Sequence, residues 1–69
     1  MKTRAMNYTF NDWNTARMFA DAVQSDLDKD CAKVTALGDG TAEVVITVPR
    51  GDRTSMTIVA NWVLEYRGF

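Results

Sequence analysis

FNDWNTARMFADAVQSDL, residues 10–27, decides the reading of the fold. Trp13, Ala16, Ala20, Val23 and Leu27 recur at three- and four-residue intervals, which places them on one stripe of an α-helix. A lone amphipathic helix cannot bury that stripe. The rest of the chain is therefore expected to supply a small sheet and a second helix.

Upstream, Met6, Tyr8 and Phe10 alternate with Asn7 and Thr9, the two-residue period of a half-buried strand. Residues 1–5 ahead of it read as a short flexible polar lead carrying Lys2 and Arg4. The helix start has two candidate caps. Asn11 is one; Thr9 with Asp12 three residues on is the other, an approximate capping box with Tyr8 and Trp13 as its hydrophobic staple. Asp12 suits the first turn in either case, because the positive end of the helix dipole favours an acid there. At the far end Asp26, Asp28 and Asp30 crowd the negative end of the dipole, relieved in part by Lys29. Two readings fit this crowding. Either the helix stops near Leu27 and Asp28-Lys29-Asp30 is a solvated turn, or an acidic edge is kept for a partner, with Asp21 and Asp28 on one flank and Asp26 on the other.

Lys33–Leu37 and Ala42–Val48 are rich in β-branched residues, and Gly38-Asp39-Gly40-Thr41 between them carries the Asp-Gly pair of a tight hairpin turn. Val44, Ile46 and Val48 fall on one face; Glu43, Val45 and Thr47 fall on the other, expected to be wet with Val45 its only apolar member. Pro49 closes the strand because it has no N–H to donate. A second helix follows, capped by Asp52 or Thr54 and ending near Arg67, with Gly68 at the left-handed closing position and Phe69 folding back on Leu64. The β-branched run Thr54–Val59 leaves a fourth strand as the alternative to its start. Met56, Val59, Ala60 and Val63 are its expected core stripe. Ile58 and Trp62 then lie on its back, near Tyr66 and Phe69, so that the helix is either packed on two sides, against the sheet and against the first helix, or exposes an aromatic patch.

The order is βαββα. It predicts a small single α+β domain over residues 1–69, with an antiparallel sheet in the order 1-3-2 and both helices packed on one face, a truncated ferredoxin-like arrangement.

Composition limits the function classes. At 46% hydrophobic and 25% charged the chain is that of a globular protein, and a formal charge of −1 gives no overall attraction to nucleic acid or anionic lipid. Removing Lys2 and Arg4 leaves six basic against nine acidic residues and a charge of −3, so the lead masks an acidic body. No apolar run reaches the roughly 18 residues of a membrane span and no signal-peptide pattern opens the chain, which sets a cytoplasmic expectation. One cysteine and no histidine exclude an internal disulfide and the usual zinc sites. Asp26-x-Asp28-x-Asp30 has the opening spacing of an EF-hand loop, yet Cys31 stands where glycine is required and Leu37 where the bidentate glutamate belongs. Cys31 has no histidine to act as its base and reads as a small buried residue. Gly38-Asp39-Gly40 is turn chemistry, since no lysine or helix start follows it. No catalytic, metal or cofactor site is expected.

Two binding readings remain. In the first, acids at Asp21, Asp26, Asp28 and Asp30 stand in for phosphates and aromatics at Trp62 and Tyr66 anchor the chain, so that it occupies a partner's nucleic-acid channel. In the second, a small nucleic-acid binder uses Lys33, Arg50, Arg53 and Arg67, although the open sheet face offers no aromatic pair for base stacking; a regulatory or structural protein is a third alternative. The acids cluster and the basic residues scatter along the sequence, which favours the first. The opening Met6-Asn7-Tyr8-Thr9-Phe10-Asn11-Asp12-Trp13-Asn14, the run Ala16-Arg17-Met18-Phe19-Ala20 and the compact acidic body resemble the small phage- or mobile-element-encoded anti-CRISPR proteins that block type I interference complexes. The resemblance implies a non-enzymatic inhibitor in the cytoplasm of a bacterial host. It would bind a subunit of the Cascade surveillance complex and prevent target DNA recognition without itself contacting nucleic acid or membrane, with a monomer favoured.

Overall fold

The central strand, AEVVITVP, is the most β-branched segment of the chain, and its alternation fixes what lies above and below it. In the computed structural model, which describes residues 2–28 and 30–67 with only the backbone of Arg67, the elements run β1 (Thr3–Phe10), α1 (Trp13–Leu27), β2 (Ala32–Ala36), β3 (Ala42–Pro49) and α2 (Arg53–Arg67). The three strands form one antiparallel sheet in the order β1-β3-β2. Thr54–Val59 is helical, which removes the fourth-strand alternative. The expected Gly68 closure, the Phe69–Leu64 contact and the relief by Lys29 lie outside the described residues.

Ala42, Val44, Ile46 and Val48 are buried, and the residues between them are exposed or half-buried. The sheet thus has a core face and an open face. On the open face Ala5, Asn7, Thr9, Lys33, Thr35 and Thr47 are exposed, while Glu43 and Val45 are half-buried. Ala5 therefore joins Val45 as a second apolar member. The β2–β3 turn has Gly38 at φ 78° and Gly40 at φ 92°, values open to glycine at little cost. The Asp39 carboxylate accepts from the Thr41 backbone N–H at 3.0 Å, and Leu37 N–H donates to Thr41 C=O at 3.0 Å.

β1 is longer than the alternation predicts. It begins at Thr3, inside the stretch read as a lead, because β3 continues to Pro49 and offers the pairs Thr3↔Pro49, Arg4↔Val48 and Ala5↔Thr47.

Asp12, and neither Asn11 nor Thr9, caps α1: its Oδ1 accepts from Thr15 N–H at 2.8 Å, and its Oδ2 from the Thr15 hydroxyl at 2.9 Å. With Asp12 at the cap, polar Asn11 occupies the position before it, so the Tyr8–Trp13 staple has no place. Trp13 is 43% exposed rather than core. Phe19, absent from the expected stripe, is fully buried and is the ring around which the others gather, with centroids 5.7 Å from Tyr8, 5.0 Å from Phe10 and 6.1 Å from Tyr66. The register Ala16, Phe19, Ala20, Val23 explains this: the buried face is turned toward Phe19, which leaves Trp13, the first residue of the helix, at its margin.

α2 repeats the same start. Asp52 Oδ1 accepts from Ser55 N–H at 3.1 Å and Oδ2 from the Ser55 hydroxyl at 2.7 Å, which satisfies the one buried polar side chain of the described core. The chain enters it through a turn in which Asp52 N–H donates to Pro49 C=O at 3.2 Å across Gly51 at φ 87°. α1 packs on all three strands, and α2 packs chiefly on α1. The buried side of α2 is rotated from expectation. Ala60 is exposed, whereas Ser55, Val59, Trp62 and Tyr66 face inward, joined by Met56 and Val63. Of the expected packing on two sides, the contact of Trp62 and Tyr66 with the core beside α1 is observed, whereas α2 has little contact with the sheet.

Candidate functional site: the acidic end of α1 and the Trp62 groove

The C-terminal turn of α1 must end without a glycine, and Asp28 takes that position at φ 52°, its N–H donating to the Gln24 carbonyl. Aspartate tolerates the left-handed region better than most residues. The last turn therefore closes as a capped helix end, and Asp26, Asp28 and Asp30 are all held exposed around it. Gln24 fastens the next element, its Oε1 accepting from the Ala32 N–H at the start of β2 at 3.1 Å.

Asp26 turns toward α2. Its Oδ2 accepts from the Trp62 indole N–H at 2.7 Å across 36 residues of sequence, a charge-assisted bond that fixes the ring. Ile58, Trp62 and Glu65, at helical spacing on α2, with Asn61 and Asp26 line a shallow groove of about 350 Å³ between the helices. Asp28 and Asp30 open the other way, onto a hollow of about 400 Å³ shared with Gln24 and Ser25. Asp21 is exposed, seven residues before Asp28 on α1. Tyr66 stands edge-on to Phe19 with an interplanar angle of 79° and lies 5.8 Å from Trp62, so its ring supports the core and backs the indole.

The structure thus unites Asp26 with Trp62 and Asp28 with Asp30, leaves Asp21 apart, and commits Tyr66 to packing. Glu65 and Asn61 were not foreseen; the interval Ile58-Trp62-Glu65 is the sequence signal that would have found them.

The basic residues are less scattered than their sequence spacing suggests. Arg50 N–H donates to Lys2 C=O at 3.1 Å, Arg4 pairs with Val48, and Arg53 opens α2, so Lys2, Arg4, Arg50 and Arg53 share one corner. Lys33 lies on the open sheet face. A wider hollow of about 590 Å³ there is lined by Thr3, Asp30, Cys31, Lys33, Val45 and Thr47, among others. Cys31 is half-buried against the core, and its carbonyl accepts from Thr47 N–H at 2.9 Å.

Among the described residues no group of His, Cys, Asp or Glu is arranged to hold a metal ion, and no buried side-chain polar atom lacks a partner. No helix among them is long and apolar enough to cross a membrane. Comparison with family models, curated proteins and solved structures returns no match for this chain.

Proposed function

We propose that the chain is a non-catalytic binding protein whose acidic α1 end and Trp62 groove dock on a basic protein surface. In its specific form it inhibits a type I CRISPR-Cas surveillance complex by occupying the site where target DNA is recognised. The observation that carries this reading is the Asp26–Trp62 hydrogen bond. It holds a large ring in place beside carboxylates, so little side-chain entropy is lost when a partner closes over it. Exposed Asp28 and Asp30 beyond it supply negative charge on a capped helix end, which supports a phosphate-like surface. The resemblance of Met6–Asn14 and Ala16–Ala20 to small anti-CRISPR proteins supplies the partner.

The test is a pull-down of the purified protein against a panel of purified type I Cascade complexes, scored for binding and for loss of target DNA binding. Paired reversals at Asp21 and Asp28, and separately at Asp26 and Asp30, run beside Trp62→Ala. Stable binding that blocks DNA, weakened by the reversals, is the expected result. Absence of binding to every complex would sink the Cascade reading.

The basic corner of Lys2, Arg4, Arg50 and Arg53 favours a second reading, a small nucleic-acid binder. Its signature is retention of DNA or RNA with affinity falling steeply in salt, by a log–log slope near −0.9 per phosphate contact on duplex DNA.

A further inference from the structure

We infer that β1 is a pairing edge for a second copy of this chain, giving a two-fold dimer with one continuous six-stranded sheet. The two edges of the sheet differ. In the β1–β3 ladder Arg50 N–H bonds Lys2 C=O, so by the antiparallel alternation the even residues of β1 bond inward to β3. Thr3, Ala5, Asn7 and Thr9 then direct their backbone N–H and C=O groups outward. On the other edge the Thr47–Cys31 and Leu37–Thr41 bonds place odd residues inward, leaving Ala32, Val34 and Ala36 outward, and the Gln24 side chain already occupies the Ala32 N–H. The β2 edge is thus short and partly covered. The β1 edge is eight residues long, pairs with β3 without a bulge, contains no proline, and carries a single charge, Arg4. Short length, bulges, prolines and charges are the devices by which native proteins blunt an edge, and β1 has almost none of them.

β1 is also complementary to itself. With Met6 on the two-fold axis, Thr3 faces Thr9 of the second copy and Ala5 faces its Asn7, so all four outward residues find partners and each pair exchanges two hydrogen bonds. Shifting the register by two residues in either direction leaves one of the four unpaired. On the helix-bearing face Arg4 then opposes Tyr8 and Met6 opposes Met6; no like charges meet. The open faces of the two sheets align, which makes one broad polar surface.

An interface of this size belongs at the weak end, with a dissociation constant on the order of micromolar. Sedimentation of the full chain from about 10 μM to about 1 mM is the direct test, and the 7.7 kDa species should double in mass. Asn7→Pro removes an outward donor on each copy without touching an inward ladder bond, and should weaken the dimer by at least about 30-fold, from two lost hydrogen bonds. Met6→Cys in a Cys31→Ser background should cross-link across the axis under mild oxidation, because a non-hydrogen-bonded pair brings the Cα atoms to about 4.5 Å, within disulfide range. This second variant decides the matter if Asn7→Pro does not fold. A monomer throughout the concentration range overturns the inference, as does a dimer indifferent to Asn7→Pro in a folded variant, or a dimer of the Met6→Cys variant that does not cross-link.

Discussion

α1 and α2 are both 15 residues long, and each starts on an aspartate that holds the N–H and the hydroxyl of the residue three positions on, Thr15 in one and Ser55 in the other. With the same device at the start, they differ in what lies beneath them. α1 buries Ala16, Phe19, Ala20 and Val23 in an unbroken stripe over three strands, whereas α2 rests mainly on α1 and buries Val59 and Ser55 outright. A cap and a propensity can start a helix, but the surface under it sets how tightly it is held. α1 belongs to the most protected part of the fold, and α2 to a layer that can open with less loss. The groove between them, where Asp26 meets Trp62, is the seam along which the two would part.

The largest effect expected is at Phe19. Phe19→Ala removes the ring shared by Tyr8, Phe10 and Tyr66 and should cost about 3–5 kcal/mol. That is comparable to the whole stability of a domain this small, about 0.05–0.15 kcal/mol per residue, so the thermal transition should be lost. Val59→Ala, at roughly 2 kcal/mol, should keep the transition and accelerate amide hydrogen exchange in α2 well beyond that in α1. Equal acceleration in both helices would make them one cooperative unit and break the contrast.

Asp52 comes next. Asp52→Ala removes a cap and also strands the Ser55 hydroxyl, which is buried at 5% exposure, for about 2 kcal/mol in all. Asp12→Ala should lower the thermal midpoint less, because its partner Thr15 is half-exposed and water can replace the lost bonds. The reverse order would mean that the burial under Ser55 does not matter. At the seam, Trp62→Phe deletes the bond to Asp26 while keeping a ring against Tyr66. Since that bond is exposed, the loss should be about 0.5 kcal/mol. A double-mutant cycle with Asp26→Ala measures the coupling, and a coupling of zero would remove the argument that the ring is held in place.

Much of the fold was legible because local signals agreed. Gly38-Asp39-Gly40 set the hairpin that pairs β2 with β3, and the period of Met6, Tyr8 and Phe10 set which face of β1 joins the core. The failures have a common physical source. Trp13 spaces correctly with Ala16 and Ala20, but the buried face is centred closer to Phe19 and leaves it at the margin, and spacing alone does not show which way a helix is turned onto its partner. Ala60 gave way to Trp62 on α2 for a related reason: a helix apolar on several sides is turned by its neighbour, here α1. Thr3–Ala5 lacks a large apolar residue, yet it is strand because Val48 and Pro49 continue β3 beside it. In the candidate site the clustering of Asp26, Asp28 and Asp30 was visible, but the Asp26–Trp62 contact depends on how two helices cross, which neither sequence segment encodes alone.

The smallest effect isolates the charge of the Asp12 cap from its geometry. Hydrogen bonds from the Thr15 backbone N–H, and then from the Thr15 hydroxyl, hold the Asp12 carboxyl below its ordinary value of 3.8. A carboxyl whose pKa is depressed on folding stabilises the native state above its unfolded value, and that contribution disappears as the pH falls through the folded pKa, where both states are protonated. Asparagine caps a helix about as well as aspartate does but has no proton to lose. The thermal midpoints of the wild type and Asp12→Asn should therefore differ at neutral pH, with the wild type higher, and converge as the pH drops below about 3.8. Asp39, held down in the same sense by the Thr41 hydroxyl and N–H, contributes equally to both proteins and cancels in the difference. A gap that stayed constant through this range would assign the α1 cap to geometry alone.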